Sequence, residues 1–110
     1  VKAPEQLRRD IFFIINSNVI SASEAKKVDE IVEYMNKYPN AKVTVTGYAD
    51  KGTGNNVIND RLATKRAQIV VNTLVKKGIA ASRISSESKG SRVQPYAENN
   101  KNRVTICIAE

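Results

Sequence analysis

Residues 57–77 keep a helical rhythm for about six turns, and this one long segment constrains what the rest of the chain can build. Step round it at about 100° per residue with Leu62 at zero. Ile58, Ile69, Thr73, Val70 and Leu74 then gather on one side, while Arg61, Lys65, Gln68, Asn72 and Lys76 face the other. A helix this long and two-sided must bury its apolar side against a second layer. Gly78 follows as its C-cap, and Lys76 and Lys77 stand in the last turn, where the helix dipole favours cations. One residue breaks the pattern. Arg66 falls at about 40°, in the middle of the apolar side, and a buried guanidinium needs partners.

The second layer is a sheet. The apolar run IFFII at 11–15 predicts a buried strand, closed by Asn16-Ser17-Asn18. Ser21 and Glu24, three apart, form a capping-box signature, and Val28, Ile31, Val32 and Met35 recur at helical spacing behind them. That helix runs to about Tyr38 and stops at Pro39-Asn40. Residues 42–48 alternate Val and Thr as a strand, and a Gly- and Asn-rich loop at 51–56 leads into the long helix. A weaker strand lies around 83–88. A final one at 103–109 carries Val104, Ile106 and Ile108 on one face. The order strand, helix, strand, helix, strand, strand predicts a single α+β domain with two helices on a mixed sheet and the last strand antiparallel to a neighbour. Residues 1–10 read as a lead-in from an upstream region, and 11–110 as the domain.

Several kinds of chemistry are excluded by composition. The chain has no histidine, which removes Ser-His-Asp and Cys-His catalysis and His-containing zinc sites. Cys107 is the only cysteine, so no intrachain disulfide forms; its alternating apolar surroundings predict a small buried strand residue. No run approaches the ~18–20 apolar residues of a membrane helix. With no starting Met and no leader pattern, a processed product or an excised domain is expected. The net charge of +7 lies wholly in the second half: residues 1–50 hold 7 basic and 7 acidic side chains, residues 51–110 hold 11 and 4. Such a half suits an anionic partner or a solvated basic face. A nucleic-acid-binding α/β module is the alternative it allows, although only 5% of residues are aromatic and the strands lack stacking rings. Asp50 with Glu87 or Glu98 could be imagined as a carboxylate pair, but nothing in their positions brings them together. No enzyme activity, cofactor or metal is expected.

Arg66 lies near the N-terminal end of its helix, beside the loop leaving Asp50. Strand ends that meet helix N-termini are where open α/β sheets commonly place ligands. Two arrangements would satisfy the guanidinium. It could form a structural ion pair with Asp50. Or the two could face a zwitterion, with an ammonium on Asp50 and a carboxylate on Arg66. Thr53, Asn55, Asn56 and Asn59 could add neutral hydrogen bonds, or could serve only the turn.

These residues carry a resemblance. Gly47-Tyr48-Ala49-Asp50, then Leu62-Ala63-Thr64-Lys65-Arg66-Ala67, then Gly78-Ile79 and Arg83-Ile84 are similar to the motifs of the OmpA-like peptidoglycan-binding domain, over roughly residues 11–109. The resemblance implies non-covalent binding of peptidoglycan through the diaminopimelate of its stem peptide. Asp50 and Arg66 would read the free amino and carboxylate groups, Asn59 would be the loop asparagine and Asn16 the asparagine after the first strand. Arg103 stands where some members carry a further ligand-binding arginine. The sequence departs from the pattern at Tyr48 and Ala49, where the family has His and Thr. It departs again at Asn102, where the family often has a second Arg, and in a loop one residue longer between Asp50 and Arg66. The implied setting is the periplasm of a Gram-negative bacterium, with the domain anchoring an outer-membrane protein to the cell wall. Membrane contact would come only through an upstream region.

Overall fold

The Val–Thr alternation of residues 43–48 becomes an interior strand of a four-stranded sheet. A computed structural model of the chain describes residues 6–15 and 17–110. In chain order the elements are β1 (Leu7–Phe12), α1 (Ala22–Lys37), β2 (Val43–Tyr48), α2 (Asn56–Lys76), β3 (Ile84–Gly90) and β4 (Val104–Ala109), with short 3-10 turns at Ala81–Arg83 and Asn99–Asn102. The sheet order is β1-β4-β2-β3. β4 runs antiparallel to both β1 and β2, and β2 and β3 are parallel across α2. This is the expected α+β domain with a mixed sheet. Val28, Ile31 and Met35 of α1 and Val70 and Leu74 of α2 meet Ile11, Val43, Val45, Cys107 and Ala109 of the sheet in one core.

Several details correct the sequence reading. The first strand spans Leu7–Phe12, so residues 7–10, expected as lead-in, belong to the sheet. Partner register decides this: Leu7 pairs with Ala109 and Phe12 with Val104. Beyond Phe13, whose amide still donates to the Arg103 carbonyl at 2.7 Å, the chain leaves the sheet, and Ile14 and Ile15 are exposed. Ser21 is the N-cap of α1, but its side chain makes no capping bond. Glu24 turns the other way and accepts from the Phe12 amide at 2.6 Å, tying α1 to the end of β1.

The buried stripe of α2 is also not centred on Leu62. It consists of Asn59, Ala63, Arg66, Ala67, Val70 and Leu74, while Ile58 is exposed and Leu62 only half-buried. Small residues face the sheet because the helix sits unusually close to it. A Cβ on Gly47 would overlap the Ala63 carbonyl oxygen and lie 3.1 Å from the Ala67 Cβ. The helix ends as the sequence predicts. Gly78 has φ of 100°, Ile79 N–H donates to the Leu74 carbonyl and Gly78 N–H to that of Val75, which is a Schellman closure with Leu74 and Ile79 both in the core. Arg83 then ties the layers together. Its Nε donates to the Ala41 carbonyl and one terminal nitrogen to those of Met35 and Tyr38, so it satisfies carbonyls at the end of α1.

Candidate functional site

Four segments converge at one end of the sheet: the end of β2, the loop after it, the start of α2 and the arm of residues 91–103. Asp50 stands two residues past the end of β2 and is only 2% exposed. Gln94 holds it from both sides, donating to the Ala49 carbonyl at 3.0 Å and accepting from the Lys51 amide at 3.2 Å. The Asp50 carboxylate accepts from Thr53 Oγ1 (2.8 and 3.0 Å to its two oxygens) and from Asn99 Nδ2 (2.9 Å). Its ion pair is with Arg103, at 3.6 Å. Asn59 donates to the Asp50 backbone carbonyl at 3.3 Å, and Asn55 caps α2 by accepting from the Ile58 amide.

Arg66 has no exposed surface. Nor is it ion-paired directly with Asp50: among the described residues its partners are three backbone carbonyls. Nε donates to Ser17 (2.9 Å), and the two terminal nitrogens to Tyr48 (3.1 Å) and Ile14 (3.3 Å). The Phe13 ring lies 5.4 Å from its guanidinium carbon. Arg66 therefore buckles the chain after β1 to the end of β2, which explains why the apolar run stops being a strand at Phe12. Among the described residues, three of its five N–H groups are used, leaving one on each terminal nitrogen. Burial pushes its pKa down to about 10; Asp50 opposes this shift and Arg103 adds to it. The group stays charged at neutral pH. Asp50 thus lies among two guanidinium groups, and Arg103 Nε is buried without a hydrogen-bond partner.

The structure brings Asp50, Arg66, Asn59 and Arg103 together. Asn16 lies outside the described residues. Thr53 and Asn55 act within the site's own loop, while Asn56 is the first residue of α2. Sequence reasoning missed Asn99, which touches Asp50, and the part Asn102 plays in holding the arm. Asn102 is buried and clasps Tyr96 by both its amide and its carbonyl, while the Tyr96 ring packs against Phe12 and its hydroxyl bonds Asp10. That clasp fixes the arm on which Asn99 and Arg103 stand. The run Asn99-Asn100-Lys101-Asn102 is uniformly polar in sequence, so nothing marks which of its members turn inward. The carboxylate pair is not formed. Glu87 and Glu98 are exposed, with Lys89 and Lys101 as their ion-pair partners, while Asp50 is buried.

The α+β domain thus holds a buried carboxylate beside two arginines at the loop end of its sheet. Residues 12–105 match the sequence profile of the OmpA family, and the chain belongs to that family. It is 40% identical over 99 residues to outer membrane protein 40 of Porphyromonas gingivalis, an alignment covering 90% of this chain and 26% of that protein. It is 31% identical over 91 residues to the peptidoglycan-associated lipoprotein of Buchnera aphidicola, covering 83% of this chain and 51% of the relative. The chain thus spans about a quarter to a half of these relatives. Its fold matches the crystal structure of the peptidoglycan-associated lipoprotein from Burkholderia pseudomallei with a TM-score of 0.85 at 19% identity, over 93% of this chain and 90% of that one. Family membership replaces the nucleic-acid-binding alternative.

Proposed function

We propose that this domain binds peptidoglycan non-covalently through the diaminopimelate of the stem peptide, and so tethers an outer-membrane protein to the cell wall from the periplasmic side. The observation that carries the reading is the buried Asp50 carboxylate set among the Arg66 and Arg103 guanidinium groups. One carboxylate beside two cations suits a ligand end that carries both an ammonium and a carboxylate. Several relatives and a structural neighbour are named for their association with peptidoglycan, and others are outer membrane proteins.

The ligand's ammonium takes the place of the Thr53 hydroxyl, which donates to both Asp50 oxygens. Its carboxylate meets Arg103 Nε and the two Arg66 N–H groups that take no partner among the described residues. Reaching Arg66 requires the segment carrying the Ile14 and Ser17 carbonyls to part, so affinity per site is modest and repetition along the polymer makes the anchorage firm. A lysine stem peptide lacks the second carboxylate and leaves the guanidinium groups unmatched.

Calorimetry with a diaminopimelate stem peptide tests this. Saturable binding is expected, lost in Asp50→Ala and weak for the lysine peptide. Thr53→Ala should bind more tightly, because the ligand no longer displaces a hydroxyl. An Asp50→Ala variant that is folded and binds like wild type would remove the basis of the reading.

A further inference from the structure

The ion pair at the centre of the site is incomplete. Asp50 is buried, and Arg103 Nε is buried with no hydrogen-bond partner among the described residues. A guanidinium beside a carboxylate commonly closes on it with two parallel hydrogen bonds. Here Arg103 Nη1 and Asp50 Oδ1 stand 3.6 Å apart, beyond hydrogen-bond reach. Closing that gap would give Nε a partner, and it would use up both charges at once. Something holds the pair open.

The other contacts of Asp50 show what does. Thr53 Oγ1 reaches both carboxylate oxygens, and Asn99 Nδ2 donates to Oδ2 at 2.9 Å. Thr53 is the group that a ligand ammonium displaces, so it does not hold the carboxylate once ligand is bound. Asn99 does. Its Oδ1 accepts from the Gly52 amide at 2.9 Å, so the side-chain amide is fixed from one end while it grips Asp50 with the other. Gly52 is the seat of that amide. A Cβ at Gly52 would stand 2.5 to 2.7 Å from three atoms of it. Gly54, two residues on, has φ of 68° and needs glycine for its backbone. Gly52 lies outside the left-handed region, so the Asn99 amide against it is what leaves no room for a side chain.

We propose that Asn99, seated on Gly52, is the positioning residue that keeps Asp50 and Arg103 apart, reserving one for the ligand's ammonium and the other for its carboxylate. The inference rests on the diaminopimelate reading and supplies the reason why opposite charges stand side by side there without neutralising each other. With Asn99 removed, Asp50 turns to Arg103, the pair closes through Nε, and the ammonium loses its acceptor.

Calorimetry of the chain with a diaminopimelate stem peptide, and with the same peptide whose free amino group is replaced by hydrogen, tests this. Wild type should prefer the amino-bearing peptide about tenfold or more. Asn99→Ala should lose that preference and bind both peptides about equally weakly. Gly52→Ala should do the same, because its methyl unseats the amide, and the double variant should be no worse than either single one. Gly52 and Asn99 are exposed, so all three variants should melt within about 3 °C of wild type. In the unliganded chain, the nitrogen-15 NMR signal of the Arg103 Nε–H group should move downfield in Asn99→Ala as the pair closes. If Asn99→Ala keeps the amino preference, or leaves that signal where it stands in wild type, the inference is overturned while the reading of the site survives on wild-type binding. A wild type that binds neither peptide overturns the reading, and the inference falls with it.

Discussion

Arg66→Ala is the most informative substitution in this domain, because one side chain holds three segments together. Removing it leaves the carbonyls of Ile14, Ser17 and Tyr48 without their donor at a point with no exposed surface. A buried carbonyl that loses its partner costs about 1–3 kcal/mol. Removing a buried charge returns part of its desolvation energy, and water entering the space left behind satisfies part of the rest. The net loss is then about 3 kcal/mol. Unfolding entropy of about 2.1 cal/mol/K per residue, over 110 residues, converts this into a fall in Tm of about 13 °C. Differential scanning calorimetry at neutral pH measures it directly. Arg66→Lys keeps the charge but cannot span three carbonyls, so its Tm should fall between the two. If Arg66→Ala melted within about 3 °C of wild type, the carbonyl bonds would not be what holds the rim of the site together, and the account of why β1 ends at Phe12 would fail with them.

Gly47→Ala places a methyl against the Ala63 carbonyl oxygen, which is backbone and cannot swing aside, so α2 has to move; a loss of about 1–3 kcal/mol is expected in denaturant unfolding with an unchanged m-value. Burial pushes the Cys107 thiol up to about 12, so a thiol reagent at pH 8 should modify the native chain at least about a thousandfold more slowly than the chain in denaturant; fast labelling of the native state would contradict the buried strand position. For Asp10, burial alone would raise the carboxyl, but hydrogen bonds from Arg8 and Tyr96 outweigh it and hold the group below its ordinary value. A depressed folded-state pKa stabilises the fold above the unfolded value of about 4 and loses that contribution as pH falls through the lower folded value. Asp10→Asn should therefore lower Tm at pH 7 and have a much smaller effect near pH 2; an equal effect at both would refute the assignment.

Much of this domain can be read without coordinates. The long helix, its Gly78 closure and the first helix stopped at Pro39 follow from local periodicity and capping, which depend on residues within a few positions of one another. The oddity of Arg66 was visible for the same reason: a charge on an apolar side of a helix needs no partner in view to be noticed. Its use was not visible. Periodicity centred the buried side on Leu62 because it weighs large apolar groups, whereas the close approach of Gly47 selects Ala63 and Ala67. The span of β1 was set by its register with β4, nearly the whole chain away, and not by the apolar run itself. The pairing of Asp50 with Arg103 instead of Arg66, and the reach of Asn99 into the same carboxylate, depend on an arm clasped by Asn102 around Tyr96. Local sequence determined the elements and the residues that had to be explained. Which of them touch was decided only when the sheet brought together segments some 50 residues apart, since hydrogen bonds and ion pairs act over a few ångströms and carry no trace in a linear pattern.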